Sequence, residues 1–406
     1  MYHGVTIDTA DFADFAVVGA GPAGALTAAL LARAGASVAL FDPAHPREKP
    51  CGGGVTRRAL SHLAGTPALY AGLAAVPIVQ VRTARFTDAA RGISTSVPLT
   101  QGLTPPLIVT SRAAFDGHLL SSAQAVGATF HRSRVADIET SGTGFVVRTA
   151  DGRTWKASSL VGADGPNSLV RRRLLRPFRR DQLSMAAGFF AHGVTSDEIV
   201  IEITTDPPGY IWSFPRPDHL AIGMCAQAEA GLRPDDLADR CRRWIVATGI
   251  APGATLTRYS WPIPSLSASD FDALDVAGRG FVLVGDAAGL VDPITREGIV
   301  HALHSATIAA SALLSSGPPT RGYQQRVRDE IAPELSRAAR FKAGFFKPRF
   351  SGLLMRALEQ SEPVRRVMAD LVAGEQSYRG LKWRLARALE LGLIRRLVLR
   401  DPRRFD

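Results

Sequence analysis

Three glycines near the N-terminus have the spacing that a peptide backbone needs to hold phosphate groups. In residues 14–42, DFAVVGAGPAGALTAALLARAGASVALFD, they are Gly19, Gly21 and Gly24. The first allows a tight turn, the second lets backbone approach a pyrophosphate, and the third lets a helix pack closely on a strand. Asp42, about 20 residues further on, is placed to accept from a ribose hydroxyl. The pattern predicts a dinucleotide site at Gly19, Gly21, Ala23, Gly24 and Asp42.

Regular elements must position these residues. An apolar run at Phe15–Val18 predicts a buried strand, an alanine- and leucine-rich helix follows the glycines and stops at Gly35, and Ser37–Phe41 predicts a second strand. Strand, turn, helix, strand and terminal acid within one unit of about 30 residues indicate a Rossmann-like fold. The free N–H groups at the helix N-terminus would face the phosphates.

A second group of residues suited to a site is the aromatic stretch PPGYIWSFP at residues 207–215. Tyr210, Trp212 and Phe214 stand at alternate positions, so in a strand they share one face. Such a face is either ordinary sheet packing or the wall of a pocket for a long apolar substrate.

Two later segments each place an aspartate directly after a predicted strand. Residues 160–171 read LVGADGPNSLVR and include Asp164 and Gly165, and residues 281–300 read FVLVGDAAGLVDPITREGIV and include Gly285 and Asp286. Together with the glycine pattern, these segments resemble the FAD-binding fold shared by flavoprotein hydroxylases and their relatives. The resemblance implies that FAD is the dinucleotide.

The same resemblance implies further cofactor contacts. Asp286 would hold the ribityl chain, and the helix that opens near Gly298 and Ile299 would point its N–H groups at the flavin N1/O2 edge. Arg112 resembles an arginine that the family places near FAD, although it also fits a solvated helix residue. Since only one GxGxxG is present, the electron donor is NAD(P)H bound transiently, or a reduced ferredoxin or flavin.

Two motifs narrow the resemblance to the geranylgeranyl reductase family of FAD-dependent oxidoreductases. They are PCGGG at residues 50–54 and P-x-x-Y-x-W-x-F-P at residues 207–215, which accompany DAAGLVDPITREGI. The likeness covers about residues 14–310, and Arg296 departs from it because many members have glycine there.

This resemblance implies that the enzyme reduces C=C bonds in the prenyl chain of a lipid, quinone or terpenoid, by hydride transfer from flavin and delivery of a proton. Tyr210, Trp212 and Phe214 would line the tunnel for the chain, and Tyr210, Trp212 and Cys51 would be catalytic. Cys51 either helps to deliver the proton or is a small apolar residue in a glycine-rich turn.

Two other functions fit the same fold. An aromatic hydroxylase or a halogenase would act on a small aromatic substrate, and a halogenase would carry a W-x-W-x-I-P stretch that YIWSFP resembles but does not match. A flavoprotein that only carries electrons or binds a partner is a third reading. The two motifs favour the prenyl reductase.

The expected fold is α/β, with α+β character overall. It combines a Rossmann-like FAD-binding domain, an inserted, mostly antiparallel substrate sheet and a helical C-terminal region. The length of 406 residues favours more than one domain. The expected boundaries are 1–75, 105–178 and 275–320 for FAD binding, 76–104 and 179–274 for the substrate, and 321–406 for the helical region.

Composition bears on compartment and partners. The net charge of +11 and the basic stretch LKWRLARALELGLIRRLVLR suit either an anionic membrane surface or a helical cap with solvated arginines. Three widely separated cysteines predict neither a metal site nor disulfides, and no recognised nucleic-acid fold accompanies the charge. Without a signal peptide or a spanning segment, the protein is expected in the cytoplasm, either soluble or resting on a membrane.

Overall fold

The computed structural model describes residues 11–99, 106–142, 144–316 and 318–388. The strands in these ranges are β1 (Asp11–Val18), β2 (Val38–Phe41), β3 (Gly54–Thr56), β4 (Ile78–Gln80), β5 (Thr83–Asp88), β6 (Ile93–Pro98), β7 (Leu107–Thr110), β8 (Thr129–His131), β9 (Val135–Ser141), β10 (Gly144–Thr149), β11 (Thr154–Gly162), β12 (Leu183–His192), β13 (Glu198–Thr205), β14 (Pro208–Pro215), β15 (His219–Gln227), β16 (Thr255–Pro264), β17 (Ala277–Gly278) and β18 (Phe281–Leu283).

The helices in the same ranges are α1 (Pro22–Arg33), α2 (Arg57–Ser61), α3 (Pro67–Gly72), α4 (Arg112–Ala125), α5 (Leu169–Leu174), α6 (Pro234–Thr248), α7 (Ala268–Asp272), α8 (Ile299–Leu313), α9 (Pro319–Glu330), α10 (Ala332–Phe345), α11 (Pro348–Gln360), α12 (Glu362–Val372) and α13 (Leu381–Ala388). The expected combination of a nucleotide-type sheet, an antiparallel sheet and a helical C-terminal region is confirmed.

The first sheet is built on parallel strands in the order β8, β2, β1, β11 and β18. All four residues of β2 are buried, as expected for a parallel strand covered on both faces. The carboxyl ends of β1, β11 and β18 lead into the three segments that carry the glycine and aspartate motifs. Parallel pairing therefore brings these segments to one edge of the sheet.

Helix α1 packs very closely on this sheet because of a glycine. It begins at Pro22, where the missing N–H costs nothing, and a Cβ at Gly24 would lie only 1.8 Å from the carbonyl oxygen of Gly19. The chain leaves the helix through Gly35, whose φ of +89° favours glycine. These contacts fix the glycine turn between β1 and α1.

The second sheet has seven strands in the order β16, β12, β15, β14, β13, β5 and β6. All its neighbours are antiparallel except β13 and β5. One face packs on α6 through residues such as Ile211 and Trp244. The other face meets the C-terminal helices. A small third sheet is formed by β3, β7 and β4, whose positions in the chain alternate with strands of the two larger sheets.

The C-terminal helices form a cap over the second sheet. Phe86 and Val97 of β5 and β6 share one apolar cluster with Leu354, Leu358 and Val367 of α11 and α12. Burial of each such side chain contributes on the order of 1.5–3 kcal/mol, which is enough to hold short helices in place. For the part of the region that the structure describes, the arrangement matches the cap alternative from the sequence.

Candidate functional site

A cavity of about 620 Å³ is lined both by the motif edge of the first sheet and by the aromatic stretch of the second. Gly24 and Gly285, two of the predicted cofactor residues, do not line it. The structure brings the other predicted site residues together along its wall: Gly19, Gly21, Ala23, Asp42, Cys51, Arg112, Asp164, Gly165, Tyr210, Trp212, Phe214, Asp286, Gly298 and Ile299.

The glycine turn forms an open cradle at one end of the cavity. Gly19 has φ of +102° and lies so close to Ala163 that a Cβ would be 2.3 Å from that carbonyl oxygen. At Gly21 a Cβ would meet only the His45 ring, at 3.7 Å. Among the described residues no side chain caps the first turn of α1, so its N–H groups remain for an anionic ligand. These features fit the pyrophosphate of a dinucleotide.

Two aspartates at this end of the cavity differ in whether they have a carboxylate oxygen free to accept a hydrogen bond from a ligand. Asp42 already accepts hydrogen bonds from the N–H groups of Ala20, Ala44 and His45 and from the His45 ring. Although burial alone would raise the pKa of Asp42, the His45 ring and these N–H groups hold that pKa well below its usual value. Asp164 uses Oδ2 to accept from Leu169 N–H, at 2.6 Å, whereas its Oδ1 is buried without a partner in the described structure. Asp164 therefore has an acceptor left for a cofactor.

Arg112 belongs to a buried network rather than to a solvated helix face. Its Nε and Nη2 donate to the two carboxylate oxygens of Asp116 at 2.9 and 2.7 Å, and Asp116 lies 3.3 Å from Nε2 of His45. Burial would lower the pKa of His45, but Asp116 and Asp42 together raise it. The backbone N–H of Arg112 donates to the Glu48 carboxylate at 3.1 Å, two residues before the PCGGG turn. The network thus links Asp42 to the glycine-rich turn beside the cavity.

The PCGGG turn is held by Arg216, a residue that the sequence analysis missed. This arginine is fully buried, and its guanidinium donates to the backbone carbonyls of Lys49, Cys51 and Gly52. It also pairs with the carboxylate of Glu48. Burial lowers the pKa of Arg216 to about 10. The only signal in the sequence was its position directly after the aromatic stretch.

The aromatic stretch forms β14, and its alternate side chains share the cavity face as predicted from the spacing. Tyr210 and Trp212 have ring centroids 5.7 Å apart, and the Phe214 ring lies 2.9 Å from the point that a Cβ on Gly52 would occupy. The Tyr210 hydroxyl donates to the carbonyl of Thr295 at 2.7 Å. The rings therefore line the cavity and also pack within the sheet. Beyond them the cavity is lined by Phe86, Ile201, Ile203, Phe345, Phe346, Met368, Leu371 and Val372.

The loop before α8 carries a second feature that sequence reasoning missed. Glu297 lines the cavity and accepts a hydrogen bond from the Thr56 hydroxyl at 2.8 Å. Burial raises the pKa of Glu297 to about 7, against the lowering effect of Thr56, and nearby Asp292 adds to the rise. Glu297 is part of the DAAGLVDPITREGI segment, but only the fold shows that its side chain faces the cavity.

Arg296, the departure from the family pattern, adopts a backbone conformation that favours glycine. Its φ is +60°, and it is the single non-glycine residue with positive φ in the described ranges. Its Nη1 donates to the Ser265 hydroxyl at 2.5 Å. The chain thus accepts backbone strain of order 1 kcal/mol to place a guanidinium at the wall of the cavity.

The basic C-terminal stretch is only partly described. In α13 the Trp383 side chain is 76% exposed, and residues 389–406 lie outside the described ranges. Contact of this stretch with a membrane surface therefore stays a prediction. In the described parts of the chain, no helix is long and apolar enough to cross a membrane, and no cluster of three or more candidate metal ligands occurs.

Comparisons with known proteins agree with this geometry. A family model described as an FAD binding domain matches residues 13–316. The chain is 30% identical over 394 residues to the menaquinone reductase of Mycolicibacterium smegmatis, covering 90% of this chain and 93% of the relative. It is 31% identical over 330 residues to the geranylgeranyl diphosphate reductase of Rhodobacter capsulatus, covering 75% of this chain and 77% of the relative.

Solved structures show the same fold. A geranylgeranyl bacteriochlorophyll reductase-like protein from Thermoplasma acidophilum superposes with a TM-score of 0.77 at 20% identity, covering 93% of this chain and 99% of that chain. A flavin-dependent brominase gives a TM-score of 0.67 at 18% identity, covering 93% and 98%. At such identities the likeness establishes the architecture and leaves the reaction to be argued from the site.

We predict that Gly21→Ala folds normally but binds FAD at least about tenfold more weakly. Ala fits the backbone because φ is −68° and the added methyl has space, yet it would occupy the cradle that pyrophosphate must enter. Fluorescence titration of the apoprotein with FAD measures the change. The control is Gly322→Ala in α9, which meets nothing within 4 Å. Equal FAD affinity in both variants would contradict the cradle.

We predict that Arg216→Met lowers the free energy of unfolding by about 2–4 kcal/mol. The change removes the buried guanidinium that pairs with the Glu48 carboxylate and donates to the carbonyls of the PCGGG turn. Urea unfolding of the apoprotein measures it. Arg243→Met, at an exposed position on α6, serves as the control and is expected to stay within about 0.5 kcal/mol. If the two variants unfold alike, Arg216 does not hold the turn.

Proposed function

The chain belongs to the FAD-binding domain family, where its relatives are geranylgeranyl and menaquinone reductases, and is an FAD-dependent oxidoreductase; we propose that it saturates C=C bonds in the prenyl chain of a lipid-soluble substrate. The observation that carries this proposal is the continuity of the cavity. It runs from the cofactor cradle past Tyr210, Trp212 and Phe214 to apolar side chains of α10 and α12. A long hydrocarbon chain fits such a space better than a small aromatic ring does.

The names of the relatives support the same class of substrate. One is named for menaquinone and another for geranylgeranyl diphosphate. The chemical group that these two molecules share is an isoprenoid chain, whereas their head groups differ. We infer that this protein also acts on the chain, carried by a menaquinone-type quinone or by a geranylgeranyl lipid.

The residues of this chain bind and orient the two reactants. FAD, when bound, supplies the hydride, and Gly19, Gly21, Asp164 and the N-terminus of α8 are placed to hold it. The apolar walls exclude water and bind hydrocarbon by burial, worth about 25 cal/mol per Å². An isolated alkene is a poor hydride acceptor, so its placement and a nearby proton source must contribute much of the catalysis. NAD(P)H, or a reduced ferredoxin or flavin, provides the electrons.

The test of this function is anaerobic. The FAD-loaded protein is reduced with dithionite and mixed with menaquinone, geranylgeranyl diphosphate or a geranylgeranyl glycerolipid, and the products are analysed by mass spectrometry. The expected result is a gain of two hydrogens for each flavin that is reoxidised. A reduced flavin that stays reduced with every substrate, and turns over with a small aromatic only when air is admitted, would instead support oxygen chemistry.

We predict that Leu371→Trp shortens the chain that the enzyme accepts. Leu371 is buried on α12 at the far end of the cavity, so an indole there fills space that a long prenyl chain needs. Turnover of a geranylgeranyl substrate should fall at least about tenfold relative to a geranyl substrate, with FAD binding unchanged. Leu353→Trp, at a position 40% exposed on α11, is the matched control. Unchanged chain-length preference in Leu371→Trp would place the substrate elsewhere.

A further inference from the structure

One carboxyl group that lines the cavity, that of Glu297, belongs neither to the glycine turn nor to the aromatic wall. Glu297 precedes Gly298 and α8, so it stands where the N-terminus of that helix meets the cavity. Its Oε1 accepts from Thr56, the residue that ends β3 just beyond the PCGGG turn. The glutamate thus faces the same space as Cys51 and Tyr210, the residues predicted from the motifs.

The loop that carries Glu297 is fixed on both sides. Asp292 accepts from the N–H groups of Ile294 and Thr295 at 2.7 and 2.9 Å and from the Tyr378 hydroxyl at 3.1 Å. Tyr210, on the aromatic wall, donates to the carbonyl of Thr295. The substrate wall and the C-terminal region therefore both hold this loop, and they set the position of Glu297 relative to anything bound along the wall.

The surroundings of Glu297 favour its protonated form near neutral pH. Burial raises its pKa to about 7, and Asp292 on the same loop adds to the rise, whereas Thr56 and Arg58 on α2 lower it. Tyr378 faces it from the C-terminal region as a neutral phenol whose own pKa is raised by burial. A carboxylic acid with a pKa close to the working pH can release and recover its proton in each cycle.

The Cys51 thiol, which the sequence analysis also considered as a proton donor, has different neighbours. Its sulfur accepts a hydrogen bond from the N–H of Gly53 at 3.4 Å, inside the PCGGG turn that Arg216 holds. Glu297, by contrast, accepts a hydrogen bond from the Thr56 hydroxyl, outside that turn.

We propose that Glu297 is the acid that protonates the alkene, an inference that rests on the proposed prenyl-reductase function. The π electron pair of the C=C bond takes the proton from the Glu297 hydroxyl to form one C–H bond. Reduced FAD, when bound, would supply a hydride to the other alkene carbon and would be left oxidised, so that the alkene gains two hydrogens. The Glu297 carboxylate, steadied by the Thr56 hydroxyl, recovers a proton from water, and an external reductant, dithionite in the test, reduces FAD again.

The first test is a single turnover of dithionite-reduced enzyme with whichever prenyl substrate the panel identifies, followed between about pH 5 and about pH 9. The acid must be protonated, so the rate should be highest below the pKa of about 7 and fall about tenfold per pH unit above it. Glu297→Gln keeps the shape and the acceptor for Thr56 but has no acidic proton. It should be at least about 100-fold slower, with that pH dependence lost.

Two comparison variants separate Glu297 from Cys51. Glu297→Asp restores an acid and should recover part of the rate, together with a decrease of the rate at high pH. Cys51→Ser should keep the wild-type dependence of the rate on pH. If Glu297→Gln forms product at the wild-type rate with the wild-type pH dependence, the role of Glu297 is overturned while the reductase function stands. If the wild-type enzyme forms no saturated product at any pH, the proposed function itself fails and this role fails with it.

A spectroscopic measurement tests whether the Glu297 carboxyl carries a proton near neutral pH, and it does not depend on measuring enzyme activity. Infrared difference spectra of the FAD-loaded wild type should show a protonated-carboxyl band that titrates near pH 7. Thr56→Val removes the hydrogen bond to the carboxylate and should move that titration to higher pH, because the bond lowers the pKa. A band that does not respond to Thr56→Val, or the absence of any carboxyl titrating above about pH 5.5, would overturn the proposal even if Glu297→Gln failed to fold.

Discussion

The buried guanidinium of Arg216 connects the two halves of the site. It comes from the end of β14 in the second sheet, and its partners are the carbonyls of the turn that follows the first βαβ unit, with the Glu48 carboxylate. Glu48 in turn accepts from the N–H of Arg112, at the start of α4. An arginine taken out of water must satisfy its donors, so it ties the aromatic wall to the PCGGG turn at a defined distance. The cavity between the sheets depends on that connection.

The carboxyl groups around the cavity differ in how far neighbouring cationic side chains offset their burial. Near the glycine turn, Asp42 and Asp116 are ionised and held by His45 and Arg112, which gives a satisfied network next to the cofactor cradle. At the α8 end, burial raises the pKa values of Asp292 and Glu297. Burial raises the pKa of a carboxyl at both ends, and at Asp42 and Asp116 the close contacts with His45 and Arg112 outweigh it.

Apolar side chains shape the rest of the space, and they come from regions far apart in the chain. Phe86 and Ile201 belong to the second sheet, whereas Phe345, Met368 and Leu371 belong to the cap. The sheet presents an apolar face that must be covered, and the helices cover it incompletely, which leaves a chamber in continuity with the cofactor cradle. The fold therefore creates the substrate space as a consequence of how it buries its second sheet.

The sequence by itself determined the FAD-binding fold and predicted a subset of the residues that line the cavity, because glycine turns, strand alternation and strand-terminal aspartates are local requirements of the backbone. Spacing alone predicted a phosphate-binding turn at Gly19 and Gly21 and placed Tyr210 and Trp212 on one face of a strand. It left open whether that face packs within the sheet or lines a pocket. Tertiary structure decided the roles of Arg216, Thr56 and Glu297, since their partners lie 165 residues away for Arg216 and 241 residues away for the Thr56–Glu297 pair. It also decided that Arg112 is buried and donates two hydrogen bonds to Asp116, so that it is not a solvated helix residue. Long-range contacts and burial set the charge of a side chain, and neither can be read from neighbouring residues.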